Sequence, residues 1–492
     1  MLRSVVFSFP PHEDAVLRLQ AATPVDTLWD HFLPAEVKLL PVELAAIDTL
    51  LSDPTLLTPF QTRWQVIHSG ALPREGRPTI PMATYLRIMV IKNKYGWGYE
   101  TLLREISDSL HLRRFCLIPI VDAVPHESTV RKLTRRLGPA VVQDLIRGLF
   151  AKAIRERRFR PRALRADSTV AESDIRFPTD SGLCADGVRL LAKRARKLVR
   201  LMRKQGELTV RDRSRSVGRY LRELTRSLRK RTGEAKAAVQ RLTEKASALL
   251  EKTIREAKRV VSAAQATAAH VRRVSRRKAL TVLENTVVLA EKVVAQVAER
   301  FQGKKIENRI VSFADPEARP VRRGKLARPN EFGYVVQMAE VTQHTQKGAR
   351  GLLLPPKLRA GSTGENALLS DTVTELKSLG IVLRESAFDA GFHPEQTRSD
   401  LKDVGADAYI VGSTNAGSRR TRRRLACYRV GNEGRISHLK REYGAGRSRL
   451  RGTAGAEIWE CWVAFTYNVD SLARNRFKVE RPKKKKRAQR SA

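Results

Sequence analysis

The stretch "RALRADSTV", residues 162–170, reads as a short β-strand that ends in polar residues, with Asp167 at that end. The order of the later segments decides the fold. A long helical zone interrupts the chain, and then "NRIVSFAD" (308–315) and "FGYVVQMAEVT" (332–342) read as two further strands. "ENALLSDTVTELKSLG" (365–380) has helical periodicity with a glycine stop, and "LGIVLRESAFDAGF" (379–392) is an apolar run ending on Asp389, where Gly391 permits a sharp turn. Strand, helical interruption, two strands, helix and strand describe an α+β unit over 161–185 and 304–475, with a mixed sheet whose edge carries carboxylates.

A third carboxylate stands out by its surroundings. Glu433 lies in "RVGNEGRISHLK" (429–440), among arginines, a lysine and glycines, on a helix expected to follow the basic loop "GSRRTRRRLACYRVGNEG" (417–434). Asp167 and Asp389 from strand ends, with Glu433 from a helix, form a hard-oxygen donor set suited to two Mg²⁺ ions, with Mn²⁺ as a substitute. Two such metals support in-line phosphodiester displacement, one at the attacking oxygen and one at the leaving oxygen. Asp186, Asp315 and Asp371 compete for the same role on spacing alone.

Charge narrows the partner. The 492 residues carry 94 Lys or Arg against 51 Asp or Glu, a formal net charge of +43, which favours a polyanion over a small neutral substrate. Nucleic acid is the leading partner. No run of about 18 apolar residues is present to span a bilayer, and the N-terminal "MLRSVVFSFPPHEDAV" is broken by Pro10 and Pro11 before a signal-peptide core forms. The expected location is therefore the cytoplasm, with no membrane partner. Cys116, Cys184, Cys427 and Cys461 are scattered, which argues against a disulfide framework and a structural zinc site and predicts small buried hydrophobes.

Other zones flank and interrupt the sheet. Residues 1–75 hold Pro-punctuated helical fragments such as "PVELAAIDTLLSD" and receive no role. Residues 76–160 read as a compact helical unit, with "GWG" at 96–98 separating two helices and Ser128 or Thr129 capping a third. That third helix carries Arg131, Lys132, Arg135 and Arg136, a pattern suited to DNA phosphates in a helix-turn-helix-like module. Residues 186–303 form a basic all-helical insertion, with 31 Lys or Arg against 11 Asp or Glu over 186–300, expected to bind DNA or a partner protomer. Residues 476–492 end in "RPKKKKRAQRSA", a disordered phosphate-seeking tail.

Several blocks together resemble one family. "RVGNEGRISHLK" matches Arg, three residues, Glu, six residues, Lys, most of the signature around the third carboxylate of bacterial insertion-sequence DDE transposases. "RADSTVAESDIRFPTDSGLCADGVRLL", "IVSFADPEARPVRRGKLARPNEFGYVVQMAE", "AFDAGFHPEQ" and "EGRISHLKREYGAGRSRLRG" resemble the ISNCY-like group of that class. The unit at about 76–150 is similar to the N-terminal domain that accompanies such cores. The resemblance implies an RNase H-like catalytic core, a triad of Asp167, Asp389 and Glu433, and DNA contacts from Arg429 and Lys440 near the scissile phosphate. The signature's tyrosine position holds Ala426, with Tyr428 two places later.

The function so implied is binding of the element's terminal inverted repeats, metal-dependent cleavage, and joining of 3′-OH ends to target DNA. A homodimer or higher oligomer in the synaptic complex and a bacterial, nucleoid-associated location are implied with it. The basic run with Arg447 and Arg449 fits the same polyanion. Two alternatives remain at this point: an RNase H-like structure-specific nuclease without strand transfer, and a catalytically inactive DNA-binding derivative.

Overall fold

The computed structural model describes residues 16–20, 32–68, 78–202, 208–230, 232–266, 274–322, 330–361, 364–415 and 417–475. The basic tail and most of the first thirty residues lie outside them. The N-terminal helices are α1 (Ala35–Lys38), α2 (Val42–Leu51), α3 (Thr58–Ile67), α4 (Met82–Lys94), α5 (Tyr99–Asp108), α6 (Leu110–Phe115) and α7 (Glu127–Arg155). Gly138, at φ 76°, with Pro139 after it, bends α7 into two segments, a left-handed residue followed by one pre-set to restart a helix. The cap of α7 is His126, whose side chain accepts from the Ser128 backbone N–H, in place of the Ser128 or Thr129 expected from sequence.

The sheet begins with β1 (Ala163–Ser173). The polar residues after Asp167 do not end this strand. Ser168 and Thr169 suit a pleated ladder, and β1 pairs antiparallel with β3 (Asn330–Thr342) as far as Glu172 opposite Gly333, so Asp167 lies mid-strand, opposite Met338. After β1 come α8 (Asp180–Met202), α9 (Ser214–Leu228), α10 (Gly233–Ala266) and α11 (Val274–Phe301), then β2 (Arg319–Arg322) before β3. β4 (Gly351–Leu353) and β5 (Lys357–Ala360) pair with β3; α12 (Glu365–Ser378), β6 (Glu385–Phe388), α13 (Pro394–Lys402), β7 (Ala408–Val411) and β8 (Thr414–Asn415) come next. α14 (Arg419–Glu442), β9 (Arg447–Ser448) and α15 (Thr453–Ala473) complete the described chain.

The central order is β2-β3-β1-β6-β7-β8, antiparallel between β1 and β3 and parallel from β1 through β6 to β7. "NRIVSFAD" joins no ladder. Its backbone finds a side chain instead: Gln296 donates to the Ile310 carbonyl and accepts from the Ile310 N–H, at 3.2 and 3.1 Å. Ile310 and Phe313 pack into the helical insertion rather than under the sheet.

Two large cores result. One runs without a break from Leu44, Trp64 and Tyr85 of the N-terminal helices through Trp462 and Phe465 of α15 to Val336, Met338 and Phe388 of the sheet. Charge pairs reinforce the join, among them Lys94 to Asp470 at 2.7 Å and Arg147 to Glu375 at 2.6 Å. The other core lies among α8, α10 and α11, from Leu183 and Leu191 through Leu250 and Ile254 to Leu283 and Val293. Among the described residues no helix is long and apolar enough to cross a membrane.

Candidate active site and basic surface

Strand alternation selects the face that matters. Arg165 points toward α14, since its Nη1 donates to the Tyr428 carbonyl at 2.9 Å, and Asp167, two residues on, shares that face. β6 presents Glu385 and Ala387 to the same helix, through an ion pair from Arg424 to Glu385 and packing of Ala387 with Leu425 and Tyr428. The parallel register pairs Arg165 with Ala387; carried two residues further, it brings Asp167 level with Asp389, just past the end of β6. Asp389 is held in a tight turn, its Oδ1 accepting from the Gly391 N–H at 2.8 Å. The Ser168 N–H donates to Asp167 Oδ1 at 2.7 Å.

α14 covers these strands. It starts at Arg419, with Ser418 accepting from the Thr421 N–H, so the arginine-rich stretch expected to be a loop is the first half of the helix that bears Glu433. Residues Leu425, Tyr428, Asn432, Arg435 and Leu439 form its buried stripe at helical spacing. Gly431 sits directly over Arg165: a Cβ there would lie 2.2 Å from Arg165 Nη1, so only glycine admits this approach. Glu433 is exposed on the flank of the helix, and Arg429 and Lys440 at i−4 and i+7 are half-buried.

A buried charge triad anchors the helix. Glu340 of β3 accepts from Arg165 at 2.6 Å and from Arg435 of α14 at 2.9 Å, and its Oε1 also accepts from the Gly351 N–H at 2.8 Å. Burial would raise this carboxyl, but the two guanidiniums and these hydrogen bonds outweigh it and hold Glu340 below the ordinary carboxylate range. Sequence inspection singled out none of the three, because a charged residue inside a strand or helix shows its partner only in the fold.

Among the described residues no set of three His, Cys, Asp or Glu side chains is gathered to hold a metal ion. The register extended past β6 sets Asp167 and Asp389 at the same level, and Glu433 lies on the helix that covers these strands, exposed and outside any three-carboxylate cluster. Two observations fit a polar guest here. Both amide atoms of the buried Asn432, next to Glu433, lack hydrogen-bond partners among the described residues, and so does Arg429 Nε.

The basic candidates divide by their partners. Arg131 pairs with Glu127 at 3.0 Å, and Arg447 pairs with Glu172 at 3.3 Å and Asp174 at 3.7 Å at the end of β1. Lys132, Arg135 and Arg449 are exposed. Arg136 is instead structural, its guanidinium 4.5 Å above the Trp64 ring and bonded to His68 at 2.8 Å. Lys440 lies near Glu460 of α15, a fully buried carboxyl with no hydrogen-bond partner among the described residues; burial pushes it well up and Lys440 pulls partly against that.

Comparison with known proteins reaches the N-terminal helices. No curated protein and no solved structure matches the chain. Residues 37–136, from α1 to the bend in α7, match the family described as Transposase domain (DUF772), so the match overlaps the helical unit expected from sequence and extends back into the region left without a role.

Proposed function

We propose that the chain is a DDE-class transposase with an RNase H-like core. It binds the terminal inverted repeats of its insertion sequence, cleaves phosphodiester bonds with two Mg²⁺ or Mn²⁺ ions, and joins the 3′-OH ends to target DNA, as a homodimer or higher oligomer. The observation that carries this reading is the parallel register of β1 and β6, which, extended two residues past Arg165 and Ala387, brings Asp167 level with Asp389 under the helix that bears Glu433. The transposase-domain match over 37–136 supports it independently.

Asp167 and Asp389 would hold a divalent cation between neighbouring strands, with Glu433 as the third carboxylate. Bound cations there supply Lewis-acid stabilisation of the attacking and leaving oxygens. The chain itself does the positioning. Arg429, one helical turn from Glu433, would offer its guanidinium to a non-bridging phosphate oxygen. The Glu340 triad fixes α14 on the sheet, so the distance between Glu433 and the two aspartates is set by buried ion pairs rather than by a loop.

The test uses the full chain with Mg²⁺ or Mn²⁺ and labelled DNA bearing the ends that flank its own gene, plus a target plasmid. Asp167→Asn, Asp389→Asn and Glu433→Gln should each abolish cleavage and joining while leaving end binding intact. Loss in one variant alone would refute the triad; cleavage without joining of a pre-cut 3′-OH end would identify a nuclease.

A further inference from the structure

We propose that Lys92 and Arg449 form a shared seat for one phosphate of duplex DNA, at the junction between the N-terminal helices and the sheet unit, with Arg131 and Arg135 flanking it. The proposal rests on the reading of the chain as a DNA-binding transposase and adds a lysine that no motif marks.

Lys92 is the exception on its helix. Arg87 of α4 is 2% exposed and pairs with Asp48 at 2.8 Å, and Lys94 pairs with Glu43 and Asp470 at 2.9 and 2.7 Å. Lys92 is 3% exposed, yet no acid or hydrogen-bond acceptor meets its Nζ among the described residues. Its neighbours are two rings, Trp459 of α15 at 4.0 Å and Tyr99 of α5 at 5.1 Å. Aromatic faces attract a cation, but they return less than burying an ion costs. Burial, with the like charge of Arg449 added, pushes the ammonium down to about 7.

Other positive groups converge on the same spot. Arg449 Nη1 lies 3.4 Å from where a Gly98 Cβ would be, and Arg449 has no ion pair among the described residues, unlike Arg447 two places before it. Arg135 and Arg131 lie close enough to Tyr99 to favour its ionised form, against the larger effect of burial. Gly98 is also the cap of α5, a helix without a capping side chain, so its first free N–H groups and its positive dipole end add to the field. Cations from three separate segments therefore meet here, against Glu127, which pairs with Arg131, and Glu100 in the first turn of α5. A phosphodiester supplies the missing acceptor: one oxygen for the guanidinium, another for the ammonium.

DNA is favoured over a free anion by alignment. Arg449 follows Ser448, which pairs with Ser173 at the far end of β1. Six strand residues separate Ser173 from Asp167, about 20 Å, or about six nucleotide steps along one strand. A backbone running from the candidate active site along β1 would meet the seat at that offset.

The experiment measures duplex binding by the full-length protein in EDTA across a salt series, with its own element's ends and with an unrelated duplex. Lys92→Met and Arg449→Met should each weaken both duplexes several-fold. The double variant should flatten the slope of log K against log salt by about 0.9, one phosphate, and the single losses should not add. Arg449 is exposed, so its variant reports even if Lys92→Met fails to fold. An unchanged slope in Arg449→Met overturns the seat, as does a double variant that loses two phosphates' worth of slope. Competition by inorganic phosphate that is lost in Arg449→Met, with duplex affinity unchanged in that variant, would assign a free-anion site and also overturn it. Wild-type protein that binds neither duplex would instead refute the DNA-binding reading itself.

Discussion

The two helical regions of this chain are both basic and both amphipathic, yet they are attached in opposite ways. The N-terminal helices pack Trp64 and Tyr85 into the same core as Trp462 and the sheet. The inserted helices α8, α10 and α11 close around a core of their own. A shared core fixes the position of one unit against the other; a separate core lets a unit be built, or removed, without rewriting the sheet.

The largest expected effect tests the shared core. Trp462 is 2% exposed and meets Tyr85 edge to face at 6.0 Å, so Trp462→Ala should cost about 3–5 kcal/mol. Urea unfolding followed at probes in the N-terminal helices and in the sheet should then shift together; a shift at only one would show that the two do not share a cooperative core. In the insertion, Leu250 is fully buried, and Leu250→Ala should cost about 2–5 kcal/mol. Hydrogen exchange should show that loss in α8, α10 and α11 with β1 and β3 unchanged. Replacing 190–298 by a short linker extends the contrast: the sheet unit should still fold, and an unchanged salt slope for end binding would remove DNA contact from the insertion's roles.

Glu460 offers a smaller and opposite effect within the shared core. Its carboxyl is raised by burial, so it stays protonated in the folded chain over a range where the unfolded chain has ionised. The cost is absent below the ordinary carboxylate range, grows as pH rises through it, and levels off above the raised value. Glu460→Gln should therefore stabilise the protein at neutral pH by about 1–3 kcal/mol, with the gain vanishing in acid thermal melts. Smallest is the pH response of the Lys92 seat. Burial pushes Lys92 down to about 7 and pushes Tyr99 up, so between neutral and alkaline pH the seat loses the Lys92 proton. Duplex affinity should decline modestly from neutral to alkaline pH, and Lys92→Met should flatten that decline.

Sequence reading reached what depends on local pattern. The apolar alternation of "FGYVVQMAEVT" gives β3, and "ENALLSDTVTELKSLG" gives α12, stopped near Gly380 at φ 62°. It failed where a distant partner decides. "NRIVSFAD" has a strand's composition, but Gln296 takes the Ile310 backbone groups that a ladder would need. β1 continues past Asp167 because β3 is long enough to pair with it, and the arginine run after Gly417 is helical because α14 has a sheet to lie on. The candidate site divides in the same way. Asp167, Asp389 and Glu433 were identifiable by type and neighbours, whereas their register, the Glu340 triad and the unpaired state of Lys92 are properties of the fold alone.

The start of α14 has one more consequence. Arg419, Arg420, Arg422, Arg423 and Arg424 crowd the end of the helix where the dipole is already positive, no acid lies in its first turn, and Glu385 neutralises Arg424. Sequence-local electrostatics thus oppose the first turns of the very helix that carries Glu433. Counterions, or phosphates in their place, would relieve that opposition, so a bound polyanion would stiffen the element on which the candidate carboxylate is mounted.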